Sequence, residues 1–290
     1  DVVEKDISIG HIPIMLKSKW CSTTVKKDPH GECKYDPGGY FIVNGQEKVV
    51  MSIEKMVDNK VLVFIKKDNS YPDGLLYTAQ INSREDDWSD NLQIFTIRNK
   101  KTGVYNITCS QMSDIPVFIL FRAMGIESDE DIISNITYNL KDTKMLNLLR
   151  PSVTLSIDEN GVIIRTREQA IEYLITKLRR NRRISQTDEE LARKQKIMFL
   201  KKIIRHDIFP HLGEDIPKKI RFLGLMMNRL LNVMLGRQKH DDRDDLQNKR
   251  IETPGILLSQ LWRQNWRKML NEIGKNFKKK NQQNEKPINI

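Results

Sequence analysis

The hydrophobic period of this chain changes once, near Ser113, and that single change restricts the folds open to it. From Tyr40 to Ser110 the apolar residues fall in short β-branched and aromatic stretches: YFIV, VLVFIKK, LLYTAQIN, LQIFTIRN and GVYNITCS. Each is bounded by Asp, Asn, Gly or Pro, as strands are. From Ile115 onward apolar residues recur every three or four positions, which is the helical period. Strands gathered first and helices gathered afterwards predict an α+β fold, not the alternating order of a parallel α/β sheet. No internal repeat is present.

Local signals sharpen this reading. Asn44-Gly45 between Tyr40–Val43 and a return strand to Ile53 predicts a two-residue hairpin turn. Before it, residues 7–16 (ISIGHIPIML) read as an extended segment, residues 20–37 as a surface loop, and Asp36-Pro37-Gly38-Gly39 as a turn. Helices are expected over Ile115–Met124, stopped by Gly125, and over Asp129–Thr137, capped by Ser128 with Asp131. Further helices follow at Thr143–Leu149 (closed by Arg150-Pro151), Arg167–Leu178, Asp188–His206 (capped by Thr187), Lys218–Leu235 (ended by Gly236) and Ile256–Phe277. Residues 237–253 read as a polar loop and 278–290 as a mobile tail. Met226, Met227 and Met234 read as core filler. Trp262 and Trp266 lie four apart beside Leu258, Leu261, Met269 and Leu270, a spacing that favours packing over base stacking.

A length of 290 residues with a 39% hydrophobic share allows two domains with real cores. The chain opens at Asp1 on strand-like apolar residues, which reads as a chain entered partway through a domain. The formal net charge of +11 favours a polyanionic partner; charge alone does not separate nucleic acid from an acidic protein or a membrane surface. Three cysteines, Cys21, Cys33 and Cys109, make no CxxC pair, so a reducing compartment fits and a disulfide framework does not. Cys21 and Cys33, with His11 and His30 nearby, match no zinc spacing. No run of 18 apolar residues predicts a transmembrane helix. Phosphate-loop, dinucleotide-binding, HExxH and GxSxG motifs are absent, and no catalytic residue is assigned.

The densest cluster of ionisable groups is HDDRDDLQNKR, His240 to Arg250. Its Asp241, Asp242, Asp244 and Asp245 admit three readings. They could hold magnesium, as clustered carboxylates do, which a metal-dependent nuclease would need; Arg243, Lys249 and Arg250 in the same loop oppose that. They could form a salt-bridged junction that orients the cations toward phosphate. They could be a solvated charge run. Further cations lie in KLRRNRR (177–183), in Arg193–Arg205 and along the last helix (Arg263, Arg267, Lys268, Lys275, Lys278, Lys279, Lys280). Taken singly, each is a solvated helix residue; together they make a basic surface.

Three stretches together resemble one family. ISIGHIPIMLKSKWC is similar to G-x-(I/L)-P-(I/V)-M-(L/V)-x-S, and DPGGYFIVNGQEKVV to the glycine-rich turn and hairpin that follow it, both near the start of the second-largest subunit of multisubunit DNA-directed RNA polymerases. DDRDDLQNKRIETPGILLSQL is similar to that family's D-D-x-D-x-x-x-N-(K/R)-R motif and the helix after it, departing from it at Asp245. DIPVFILFRAMGIESDEDI between them resembles the lobe of eukaryotic-type subunits. The resemblance implies two domains: a mixed protrusion built from both ends of the chain (1–56 and 250–290) and an inserted α+β lobe (57–249). It implies a wall of the DNA cleft, part of a nucleotidyltransferase complex but inactive by itself, with no cofactor here and Mg2+ in the complete polymerase. The implied partners are the DNA template, the RNA–DNA hybrid, the largest subunit and other polymerase subunits, with no membrane. The implied location is intracellular: the nucleus for a cellular protein, host cytoplasm or virion for a viral one. Lys48, Arg243, Lys249 and Arg250 become candidate nucleic-acid contacts, with Asp241, Asp242 and Asp244 holding the junction. The alternative is a stand-alone, non-specific nucleic-acid-binding protein.

Overall fold

The computed structural model describes residues 10–25, 33, 35–85, 92–156, 161, 163–178 and 189–282, of which Glu189 and the last three are described without their side chains. Expectations for Ile7 and Ile9, His30, Arg179–Arg183, the Thr187 cap and most of the tail lie outside the described residues. The chain divides into two compact units, Asp1–Glu54 with Ile251–Ile290, and Lys55–Arg250. Helices and antiparallel strands segregate along it, so the fold is α+β.

In the first unit, residues 10–15 run without regular hydrogen bonding. Leu16 then meets the glycine turn: its N–H donates to the Tyr40 carbonyl at 2.9 Å and its carbonyl accepts from Gly39 at 3.0 Å. Gly38 has φ +69°, and a Cβ there would lie 2.7 Å from the Leu16 oxygen, so only glycine fits. Asp36 pins the turn by accepting from the Gly38 N–H at 2.9 Å and the Tyr40 hydroxyl at 2.7 Å. These bonds, the Gly38 one first, hold its carboxyl below the usual range. Residues 20–37 are not all loop: a one-turn helix, α1 (Ser22–Val25), follows the buried Cys21. The hairpin consists of β1 (Phe41–Val43) and β2 (Gln46–Lys48), with Asn44 at φ 51° and Gly45 at φ 75°. Two consecutive positive φ values are what a type I′ turn requires. The return strand stops at Lys48 rather than Ile53; a separate strand, β3 (Ile53–Met56), follows.

The second unit is built on a five-stranded antiparallel sheet in simple sequence order: β4 (Leu62–Lys67), β5 (Leu75–Ser83), β6 (Gln93–Asn99), β7 (Tyr105–Thr108) and β8 (Ile115–Pro116). The register sets Val63 opposite Ala79, Ala79 opposite Ile97, and Ile97 opposite Ile107. All four are buried and line one face, as the two-residue period demands. The opposite face is more polar, carrying Gln80, Thr96 and Arg98, with Phe64 beside a small cluster of Val57 and Leu62.

The chain passes directly from β8 into α2 (Val117–Met124), and every residue of that helix is buried. A helix apolar all round must lie inside the fold, and it ends at Gly125 in the left-handed conformation (φ 116°). Its one charged residue, Arg122, is 1% exposed and donates to the Ile164 carbonyl and the Asp129 carboxylate. Around it pack α3 (Asp129–Thr137), α4 (Thr143–Thr154), α5 (Arg167–Lys177), α6 (Glu189–Lys202) and α7 (Ile216–Met234). Met226 and Met227 are fully buried in this core.

Several local expectations are corrected here. Ser128 sits at the N-cap of α3 but its side chain makes no cap bond; Asp129, one residue on, pairs with Arg122 instead. Pro151 does not close α4 but lies within it. Thr166 and Gln169, unremarked in the sequence, form a full capping box on α5. Helix α6 gives way to a π-helical turn, Ile203–Asp207. Lys219 of α7 is fully buried beneath that turn, its Nζ 2.6 Å from the Arg205 carbonyl and 3.3 Å from that of Ile204. Burial lowers its pKa to about 8, against the pull of Asp207 and Glu214. Gly224 lets α7 approach α3: a Cβ there would lie 2.2 Å from the Asn135 carbonyl oxygen.

The stretch 237–253 is not all loop. It contains a 3-10 turn, Leu246–Asn248, and a strand, β9 (Lys249–Glu252), which pairs with β3. The final helix, α8 (Pro254–Gln282), carries Trp262 and Trp266 stacked with centroids 6.0 Å apart. Trp262 remains about half exposed and Trp266 is half-buried.

Candidate nucleic-acid interface

The aspartate-rich loop is fixed to the edge of the five-stranded sheet. β4 is an edge strand, and edge strands present unpaired backbone groups. Asp241 closes this one: its N–H donates to the Val63 carbonyl at 2.8 Å, and its Oδ2 accepts from the Val63 N–H at 2.8 Å. The same carboxylate meets Arg229 Nη2 of α7 at 3.0 and 3.1 Å. Asp241 therefore bonds to a strand and to a helix, not to Arg243.

Asp242 Oδ1 accepts from the Asp244 N–H at 3.0 Å, folding the loop on itself. Asp244 reaches Lys249 Nζ at 3.5 Å. Asp245 Oδ1 accepts from the Gln247 N–H at 2.9 Å, opening the 3-10 turn. Asn248, only 3% exposed, is the hub: its Nδ2 donates to the Asp242 carbonyl and its Oδ1 accepts from Lys60 Nζ, both at 2.8 Å. Its carbonyl also accepts from the Val57 N–H at 2.9 Å.

Arg243 lies over the Phe64 ring, 4.2 Å from guanidinium carbon to centroid, and Nη2 lies 3.4 Å from Gln80 Oε1. A guanidinium on an aromatic face keeps donors directed outward, and the residue is exposed. Arg250, also exposed, donates from Nη1 to the carbonyls of Lys249 (2.7 Å) and Gln247 (3.3 Å). Lys48 is exposed on β2 opposite Phe41, in the other unit. Arg243, Lys249, Arg250 and the three aspartates are thus gathered in one loop, and Lys48 stands apart from it in the sequence and in its unit.

A magnesium ion does not fit this loop. Asp241 is committed to Arg229 and a backbone N–H, Asp242 to the loop itself and Asp244 to Lys249. Among the described residues no three His, Cys, Asp or Glu side chains come together to hold a metal. The reading as a nuclease centre therefore has no geometric support.

Other cations are partly paired: Arg193 with Glu172, and Lys194 with Glu190 at 2.9 Å. Sequence reasoning missed Arg229, 12 residues before Asp241 on the preceding helix, and Lys60 and Phe64, which lie far from the loop in the chain. Asn248 stood inside the quoted motif, and its fixed place there was the available signal.

The family model described as RNA polymerase Rpb2, domain 2, matches residues 57–252, most of the chain. The chain belongs to this family. Among its relatives, DNA-directed RNA polymerase subunit 2 of Acanthamoeba polyphaga mimivirus is 35% identical over 99% of this chain and 25% of its own length. DNA-directed RNA polymerase II subunit 2 of Arabidopsis thaliana is 32% identical over 98% of the chain and 24% of its own length. DNA-directed RNA polymerase III subunit 2 of the same plant is 29% identical over 93% and 22%. This Rpb2-family chain thus spans about a quarter of the length of the curated relatives it matches. The family match ends at Glu252, so the aspartate loop falls inside it and α8 beyond it. Among the described residues of this Rpb2-type chain, no helix is long and apolar enough to cross a membrane.

Proposed function

We propose that this chain is part of the second-largest subunit of an intracellular DNA-directed RNA polymerase, where it forms a wall of the DNA cleft. In this reading residues 1–56 and 250–290 belong to the protrusion and 57–249 to the lobe. The wall takes part in DNA-templated RNA synthesis by holding the DNA template and the RNA–DNA hybrid through sequence-independent phosphate contacts. Nucleotidyl transfer and its Mg2+ belong to other parts of the enzyme, the largest subunit among them. The observation that carries the proposal is the braced loop. Its aspartates bond to Val63, Arg229, Lys249 and the loop backbone, and Arg243 and Arg250 are left exposed on a rigid support.

The test is duplex-DNA affinity measured by fluorescence anisotropy against salt. Each phosphate contact contributes about −0.9 to the slope of log K against log salt, so Arg243→Ala with Arg250→Ala flattens the slope by about 2, equally on unrelated sequences. A slope near zero in the parent chain, or one unchanged by the double substitution, overturns the assignment.

A further inference from the structure

The second unit contains a cavity of about 400 Å³ that the cleft-wall reading does not use. It lies where the start of α5, the end of α6, the π-helical turn and the start of α7 meet. Arg167, Lys201, Lys202, Arg205 and His206 contribute to its lining, and among the described residues no acidic side chain does. The four Lys and Arg residues are exposed and carry fixed positive charge. Beneath them are Ile171, Ile204 and Ile216, buried or half-buried. The site is built: Lys219 bonds the carbonyls of Ile204 and Arg205 from below, fixing the turn that presents both residues.

Two features choose among anionic ligands. A carboxylate already sits at one edge: Glu214 lies 3.7 Å from Arg205 Nε and 3.5 Å from His206 Nδ1. Among the described residues the apolar base is aliphatic (Ile171, Ile204 and Ile216), whereas single-stranded nucleic acid is usually held by stacking on aromatic faces. A bounded pocket of this volume suits one inserted side chain rather than a continuous backbone.

We propose that this cavity is a docking site for an acidic peptide segment of a protein partner. An apolar side chain of the peptide seats on Ile171, Ile204 and Ile216, and flanking carboxylates meet Lys201, Lys202 and Arg205. The proposal is independent of whether Arg243 touches nucleic acid.

The experiment uses the full 290-residue chain and a fluorescein-labelled peptide of about 12 Asp and Glu residues with one central Leu, a short linear motif of the kind grooves recognise. A matched peptide with Ser for Leu and a labelled single-stranded oligonucleotide are measured in parallel. The Leu peptide binds about tenfold tighter than the Ser peptide, from burial of its side chain. Lys201→Glu with Lys202→Glu weakens it by about tenfold or more, with circular dichroism unchanged because both residues are exposed. Arg167→Glu, on a different helix, weakens it in the same direction. Equal affinity for the Leu and Ser peptides, or indifference to both sets of charge reversals, overturns the proposal. So does a charge reversal that reduces only oligonucleotide binding.

Discussion

The two units treat their apolar residues differently. In the second, Phe118, Phe121 and Leu223 are fully buried among helices and a sheet that share one large core. In the first, Met51 is 79% exposed and Val49 70%, and among the described residues few side chains, such as Phe41 and Cys21, are buried. The strand and helix periods are as legible in one unit as in the other. Periodicity therefore announces an element and its apolar face but is silent on whether anything covers that face. What separates the units is the density of long-range packing, which no local pattern encodes.

This contrast can be tested at three strengths. Phe118→Ala removes a ring from the middle of the all-buried helix α2 and is expected to cost about 3–5 kcal/mol in urea unfolding; a loss under about 1 kcal/mol contradicts a tight core there. Lys219→Met probes the buried cation. The folded-state pKa of Lys219, about 8, lies below its ordinary 10.5. Between those values the unfolded chain keeps a proton that the folded chain has released, so stability rises with pH across that window. The Met variant lacks this increment, and parallel pH curves for the two proteins contradict the assignment. Met51→Ser, in the exposed set, is expected to change stability by no more than about 0.5 kcal/mol. A cost near that of Phe118→Ala erases the distinction between the units.

The hairpin at Asn44-Gly45 and the limits of α3 could be read directly, because turn chemistry and the change to helical period are local. The Ser128 cap, the early end of β2 and the strand at Lys249–Glu252 could not. The strand at Lys249–Glu252 was decided by a partner distant in sequence, β3, and Asp129 beside Ser128 by Arg122 of the preceding helix. The candidate site divides in the same way. The motif located the loop and its cations, yet the partner of Asp241 lies on α7 and the ring beneath Arg243 lies on β4. Charge pattern told which residues cluster, and only the fold told which of them bond to each other.

The loop also ties together residues far apart in the chain: Val63 with Asp241 across 178 residues, and Lys60 with Asn248 across 188. On a ribosome adding about 5–20 residues per second, the edge strand emerges about 10–40 s before the aspartate that covers it. For that interval a β-strand edge stands open to any neighbouring nascent chain. Shielding of this segment during translation therefore guards against mispairing that the finished domain no longer risks.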